Sequence, residues 1–185
     1  DGKLIFKSSV AGDVTVNRDI TLTIEPGVEV RSDGNWAINV QGTLDPQGTQ
    51  AQPIGFTSDQ PIAAPGDWAM IDFRSESKYS VMEHAIVEYG GNSTRAGWGC
   101  PSGALCVHTS SFLLNESTVQ HNATRGLVLV QSDATISNNT FDDHGDEAIR
   151  LHTCDYGIGP CRPIIVGNTF TGNASPMGGA LGCYD

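Results

Sequence analysis

The chain has 185 residues, 38% of them hydrophobic and 17% charged, an ordinary composition for a single soluble domain with a sizeable core. Its 21 Asp and Glu against 10 Lys and Arg give a formal charge of −11, a field that repels nucleic acid and anionic membrane surfaces and leaves neutral glycans, cations and other copies of the chain as expected partners. No run of about 18 apolar residues is present to insert into a bilayer, and a chain that opens on Asp1 with no charged-then-apolar leader fits either a processed secreted protein or a fragment.

The first third reads as short strands. "DGKLIFKSS" is strand-like and carries Lys3 and Lys7, and "VTVNRDITLTIEPGVEVRSDGNWAINVQGTLDPQG" alternates apolar and polar residues in runs broken by Gly, Pro or Asp-Gly. "PIGFTSD" and "GDWAMIDF" continue the pattern.

From residue 82 the chain repeats itself. Aligning "MEHAIVEYG", "LNESTVQHN", "ISNNTFDDH" and "IVGNTFTGN" gives the columns Met82/Leu114/Ile136/Ile165, Ala85/Ser117/Asn139/Asn168 and Val87/Val119/Phe141/Phe170. A second set, "GALCVH", "GLVLVQ", "EAIRLH" and "GALGCY", follows the first. Alternation there points Leu105/Val128/Ile149/Leu181 and Val107/Val130/Leu151/Cys183 inward, and Cys106/Leu129/Arg150/Gly182 and His108/Gln131/His152/Tyr184 outward. Leu114 and Ile136 are 22 residues apart and Gly126 and Glu147 are 21 apart. The longer intervals, 32 and 29 residues, each hold a Cys-bounded insertion, near 91–102 and 153–162. A unit of about 22 residues with no amphipathic helix cannot bury its apolar face alone, so it must stack on its neighbours. Stacking in parallel at roughly 4.8 Å predicts an all-β solenoid in which the Asn139/Asn168 column forms an internal amide ladder beside stacked Phe141 and Phe170.

This arrangement resembles the right-handed parallel β-helix proteins of the pectin-lyase-like superfamily, on "LTIEPGVEV", "VQGTLDPQGTQAQPIGFTSD", "GDWAMIDF", "VMEHAIVEYGG" and "ISNNTFDDHG". The resemblance implies a single-stranded right-handed β-helix over residues 1–185, of about seven rungs and roughly 35 Å long. It is specific for fold and unspecific for function, because that superfamily holds lyases, hydrolases, adhesins and structural modules.

Cys100 and Cys106 lie six apart and Cys154 and Cys161 seven apart, spacings suited to two local disulfides and to no zinc pattern. Paired cysteines point to an oxidising compartment, outside the cell or at its surface. Cys183 remains over, either a thiol buried by its inward register or an intermolecular link. Five N-x-[ST] triplets make Asn92, Asn115, Asn122, Asn138 and Asn173 candidate glycan acceptors.

The densest chemistry is "FDDHGDEAIR". Asp142, Asp143 and Asp146 offer oxygen ligands to a hard cation such as calcium. In β-helix lyases a calcium and a nearby Arg or Lys act on an acidic sugar, and Arg150 is close in sequence. The competing reading is a polar strand-to-strand corner, for which Asp, His and Gly suit turn geometry. The resemblance of "DDHG" to polygalacturonase-like glycosidases fails on spacing, since their carboxylates stand on successive rungs and the columns of Asp142 and Asp143 carry no second acid on the neighbouring rung. His108 and His152 sit about 10 Å apart across two rungs, too far to share a metal. Trp98, in the first insertion, is the sole glycan-stacking candidate. The ends show no capping helix, so the expected function is a non-catalytic extracellular rod that associates end to end into a filament or belongs to a longer surface β-helix. The alternative is a polysaccharide lyase or glycan-binding module.

Overall fold

The computed structural model describes residues 9–95, 100–109, 111–152, 162–176 and 178–184. Strands are short because each runs only until the chain turns onto the next face, and they follow a fixed cycle of three. Numbered in chain order, the first face stacks β1 (Ser9–Val10), β4 (Glu29–Ser32), β7 (Ile54–Ser58), β10 (Ala85–Glu88), β13 (Thr118–Gln120), β16 (Thr140–Asp142) and β19 (Thr169–Thr171). The second stacks β2 (Val14–Val16), β5 (Ile38–Val40), β8 (Ile71–Phe73), β11 (Gly103–Val107), β14 (Arg125–Val130), β17 (Ile149–His152) and β20 (Leu181–Tyr184). The third holds β3 (Thr21–Ile24) and β6 (Thr43–Pro46), then β9 (Ser80–Glu83), β12 (Phe112–Asn115), β15 (Thr135–Ser137) and β18 (Ile164–Val166), with a parallel bridge from Gln47 to Glu83 between the two groups. Within each stack strands pair in parallel with those three before or after them, β6 and β9 being joined by the Gln47–Glu83 bridge, which makes a coil of seven stacked rungs. Among the described residues no helix is long and apolar enough to cross a membrane.

The corners explain the polar residues between strands. Where the third face turns into the first, His84, Glu116, Asn138 and Gly167 occupy one column and all have positive φ, from 47° to 68°. Where the first turns into the second, Tyr89, His121, Asp143 and Gly172 do the same, from 51° to 64°. A single left-handed residue swings the chain through the bend, and short polar side chains or Gly tolerate it best.

Behind each corner stands a ladder of side chains that satisfies the backbone donors which the bend removes from the sheet. The Ser117 hydroxyl accepts from Ala85 N–H, Asn139 Oδ1 from Ser117 N–H and Asn168 Oδ1 from Asn139 N–H, at 2.9 to 3.0 Å. The amides donate back to carbonyls, Asn139 to Leu114 and Asn168 to Ile136, each at 2.9 Å. The predicted internal ladder is therefore present, with Phe141 and Phe170 stacked 5.5 Å apart beside it. A second ladder runs behind the other corner through Gly90, Asn122, His144 and Asn173. Here His144 stands where its neighbours above and below carry Asn.

The core fills the coil with Phe56, Phe73, Phe141, Leu44, Leu105, Leu127, Leu129 and Ile136. A second apolar cluster, Ala37, Ala69, Met70, Cys100, Cys106, Val128 and Val130, lies on the outer side of the second face. There the register corrects the sequence alignment by one residue: Gly103 pairs with Arg125, so Leu105 stands over Leu127 and Cys106 over Val128. Leu127 and Leu129 face the core, and Val128 and Val130 face out. A one-residue slip exchanges the two sides of a strand, and a run of four apolar residues, "LVLV" preceded by Gly126, gives alternation nothing to register on. The true repeat here is again 22 residues, Gly103 to Arg125 to Glu147. Cys183 keeps its inward register, paired with Leu151, but is exposed, because among the described residues no strand stacks beyond β20.

Candidate functional site

The acidic corner spans the turn from β16 to β17, and its carboxylates diverge. Asp142, at the end of β16, points out from the first face and accepts from the Thr171 hydroxyl at 2.5 Å. Asp143, at the left-handed position, lies 3.0 Å from His121 Nδ1. Asp146, past the bend, meets Arg125 Nη2 at 2.5 Å. Each acid thus bonds a residue one rung away. The structure does not bring Asp142, Asp143 and Asp146 together into a set of ligating atoms within 4.8 Å of one another: each bonds a different residue.

Glu147 holds the centre of a charged cluster. It is 1% exposed and receives Arg125 Nε and Arg150 Nη2, both at 2.8 Å. Arg125 also donates to the Ser102 carbonyl at 3.1 Å, tying the first insertion to the sheet. Two guanidiniums and two carboxylates, Asp146 and Glu147, balance to zero, which makes burial of Glu147 tolerable. His152 lies at the rim of this cluster. Burial lowers its pKa below the usual imidazole value, and the charges of Arg150, Arg125 and His108 push it the same way.

His144 is the other buried ionisable group. Burial drives its pKa down to about 4 against the opposing charges of Asp142 and Asp143. The Val119 carbonyl favours the charged form slightly, but neither ring nitrogen has hydrogen-bond geometry to a partner. Gly126 makes room for the ring: a methyl group there would lie 2.5 Å from Nε2.

Two rungs before Arg125 on the same face, Asp72 sits outward on β8 and is nevertheless buried. Arg74 Nη2 contacts its Oδ2 at 3.0 Å and donates to Asn39 Oδ1 at 2.9 Å, while His108 Nε2 lies 3.4 Å from Asp72 Oδ1. The Cys100–Cys106 disulfide forms as the spacing predicts, with His108 Nε2 3.3 Å from Cys106 Sγ. Among the described residues, Cys100, Cys106 and His108 are the one set of three His, Cys, Asp or Glu ligating atoms within 4.8 Å of one another. Cys154, Cys161 and Trp98 lie outside the described residues. Of the other tryptophans, Trp68 is buried and donates to the Glu88 carbonyl, and Trp36 is half-buried and donates to Asp33.

The sequons fall on different environments. Asn138 is exposed at a corner. Asn92, Asn115 and Asn173 are half-buried, with amides engaged to Gly66, Glu83 and Phe141 respectively. Asn122 is buried inside the second ladder, accepting from Gly90 N–H and donating to the Val87 carbonyl. A glycan on Asn122 would have to displace these ladder bonds.

Residues 5–100 match a family described as pectate-lyase like beta helix domain, and residues 71–184 match one described as right handed beta helix region. The chain belongs to the right-handed β-helix family. No curated protein and no solved structure matches it. Within this β-helix the residues that sequence reasoning missed are Arg125, Asp72 and Arg74. Arg125 was legible in principle, since it precedes Glu147 by one full repeat of 22 residues. For Asp72 the signal is a carboxylate inside "MIDF", where an apolar setting demands a cationic partner.

Proposed function

We propose that this β-helix is a non-catalytic structural rod of the extracellular space or cell surface, lengthened by head-to-tail stacking of one copy on the next or by further rungs of a longer surface β-helix. The observation that carries this reading is the state of its last rung. Ile164, Val166 and Leu181 are 58%, 56% and 44% exposed, and the inward-facing Ile165 and Phe170 are only partly covered. Their strands β18, β19 and β20 are the edge members of their sheets. An edge with free N–H and C=O rows and open apolar columns templates a further parallel rung. The occupant we assign is a second copy, because the first rungs expose a matching apolar edge: Leu22, in the inward register of Leu44, and its neighbour Ile20 are both exposed. A contact between unlike ends does not close, so it builds filaments. The disulfide supports the extracellular placement. The acidic corner fits a structural role as well, since each of its carboxylates couples neighbouring rungs.

The test is sedimentation and electron microscopy over a hundredfold concentration range. Concentration-dependent filaments abolished by Phe170→Asp are expected, and dispersed monomers throughout refute the reading. The description pectate-lyase like favours a second reading, a polysaccharide-active module. Release of unsaturated oligosaccharides from acidic polysaccharides, with or without calcium, would establish that reading in place of the first.

A further inference from the structure

We propose that the bend between the first and second faces, in the first three rungs, is a binding site for one small uncharged aromatic molecule. An open-mouthed cavity of about 270 Å³ lies there. Phe56 and Trp68 are buried and form its floor, and the half-buried Val10, Val30, Trp36 and Ile38 surround its mouth. Cavities of roughly 150 Å³ walled by apolar side chains hold one benzene, so this one has room for a substituted ring or a fused pair.

The walls cannot close on the gap. Protein cores fill voids by turning side chains into them, but here both indoles are pinned. Trp36 Nε1 donates to Asp33 Oδ1 at 2.9 Å, and Trp68 Nε1 donates to the Glu88 carbonyl at 2.8 Å. Each ring also lies against a glycine: a Cβ on Gly34 would stand 3.2 Å from Trp36 Nε1, and one on Gly90 would stand 2.8 Å from Trp68 Cε2. Rings held in this way around an empty volume make a preorganised site, because no wall has to be ordered when a ligand enters.

The class of ligand follows from what the walls lack. Four lining side chains carry a polar atom, and all four are engaged elsewhere: the two indoles as above, the Ser32 hydroxyl as a donor to the Gly34 carbonyl at 2.8 Å, and the Thr57 hydroxyl as a donor to Glu88 Oε1 at 2.9 Å. A sugar or an anion would enter with its own polar groups unmatched. Water finds few partners there for the same reason, so an apolar ligand displaces no well-held solvent. The ring quadrupoles of Trp36, Phe56 and Trp68 favour an aromatic ring, offset or edge to face, over a saturated ring of equal size.

The experiment is a titration of the full chain carrying Phe170→Asp, followed through its methyl resonances, with toluene, indole, cyclohexane and galacturonic acid in turn. Phe170 stands on the last rung, away from the cavity, and its replacement keeps copies apart, so the outcome does not depend on whether the rods stack. Saturable ring-current shifts at the Val10, Val30 and Ile38 methyls are expected with toluene and indole. Cyclohexane should bind about fivefold more weakly than toluene, and galacturonic acid should leave these methyls unmoved. Ala37→Leu and Val30→Ile add carbon to the lining and should weaken toluene binding, the first by about tenfold. Circular dichroism checks that each variant keeps the coil, and the shifts in the parent locate the ligand without them. Absence of saturable shifts with both aromatic probes overturns the proposal. Cyclohexane bound as tightly as toluene, galacturonic acid moving the same methyls, or toluene binding indifferent to both folded variants overturns it as well.

Discussion

Removing the charge of Glu147 tests the central claim about the outer charged cluster. Glu147→Gln keeps the shape and one acceptor oxygen but removes the carboxylate that pairs with both Arg125 and Arg150, whose side chains are 12% and 16% exposed. Breaking a buried pair by removing one partner costs about 3 to 5 kcal/mol, mostly as the penalty of uncompensated buried charge. For a chain of this size each kcal/mol moves the melting midpoint by roughly 2 to 4 °C, so a fall of about 6 to 20 °C is expected in a calorimetric scan at pH 7. The loss should be recovered in large part when Arg125→Met and Arg150→Met accompany Glu147→Leu, because the demand for a counter-charge then vanishes. A fall below 2 °C for Glu147→Gln, or no recovery in the triple variant, refutes the assignment of the network as a mutually dependent unit.

Three further outcomes follow from the ladders and the core. Asn139→Leu leaves Ser117 N–H and the Leu114 carbonyl buried without partners, at about 1 to 3 kcal/mol each, and should lower the denaturant midpoint and speed amide exchange at Ser117. His144 has a folded pKa lowered to about 4 against an ordinary 6.5, so the unfolded chain binds the extra proton first: its contribution is complete above pH 6.5 and falls as pH drops towards 4, by about 3 kcal/mol in all. His144→Asn, which matches Asn122 and Asn173 in the same column, should flatten that part of the stability profile relative to the parent chain, and an unchanged slope would remove His144 as its cause. Phe141→Ala empties a fully buried ring site stacked on Phe170 and should cost about 3 to 5 kcal/mol by chemical denaturation, with small loss indicating that the coil collapses into the gap.

The interior of this fold was legible because a parallel coil stacks like on like. Asn139 over Asn168 and Phe141 over Phe170 repeat the same residue at the same position, so aligning the sequence with itself finds them. That alignment failed only where the strand offered no landmark. In "RGLVLV" four apolar residues follow Gly126, either register looks plausible, and the match of Gly126 to Gly103 chose the wrong one. The outer face decides the register instead, since Arg125 must stand beside Glu147.

The outer surface obeys the opposite rule, and the acidic corner shows it. Inside the coil, identical amides satisfy one another because each carries both donor and acceptor. Outside it, a repeated charge would repel its copy roughly 4.8 Å above, so neighbouring rungs carry complementary groups: Asp142 with Thr171, Asp143 with His121, Arg125 with Glu147, Asn115 with Glu83. Complementary pairs leave no repeat in the sequence. Four acids on one turn therefore read as a ligand cluster when viewed along the chain, whereas across the rungs Asp142 meets Thr171, Asp143 meets His121, and Asp146 and Glu147 share Arg125. The same view exposes Asp72, whose Oδ1 lacks the hydrogen-bond donor that this rule leads one to expect and faces His108 and the Cys100–Cys106 bridge instead.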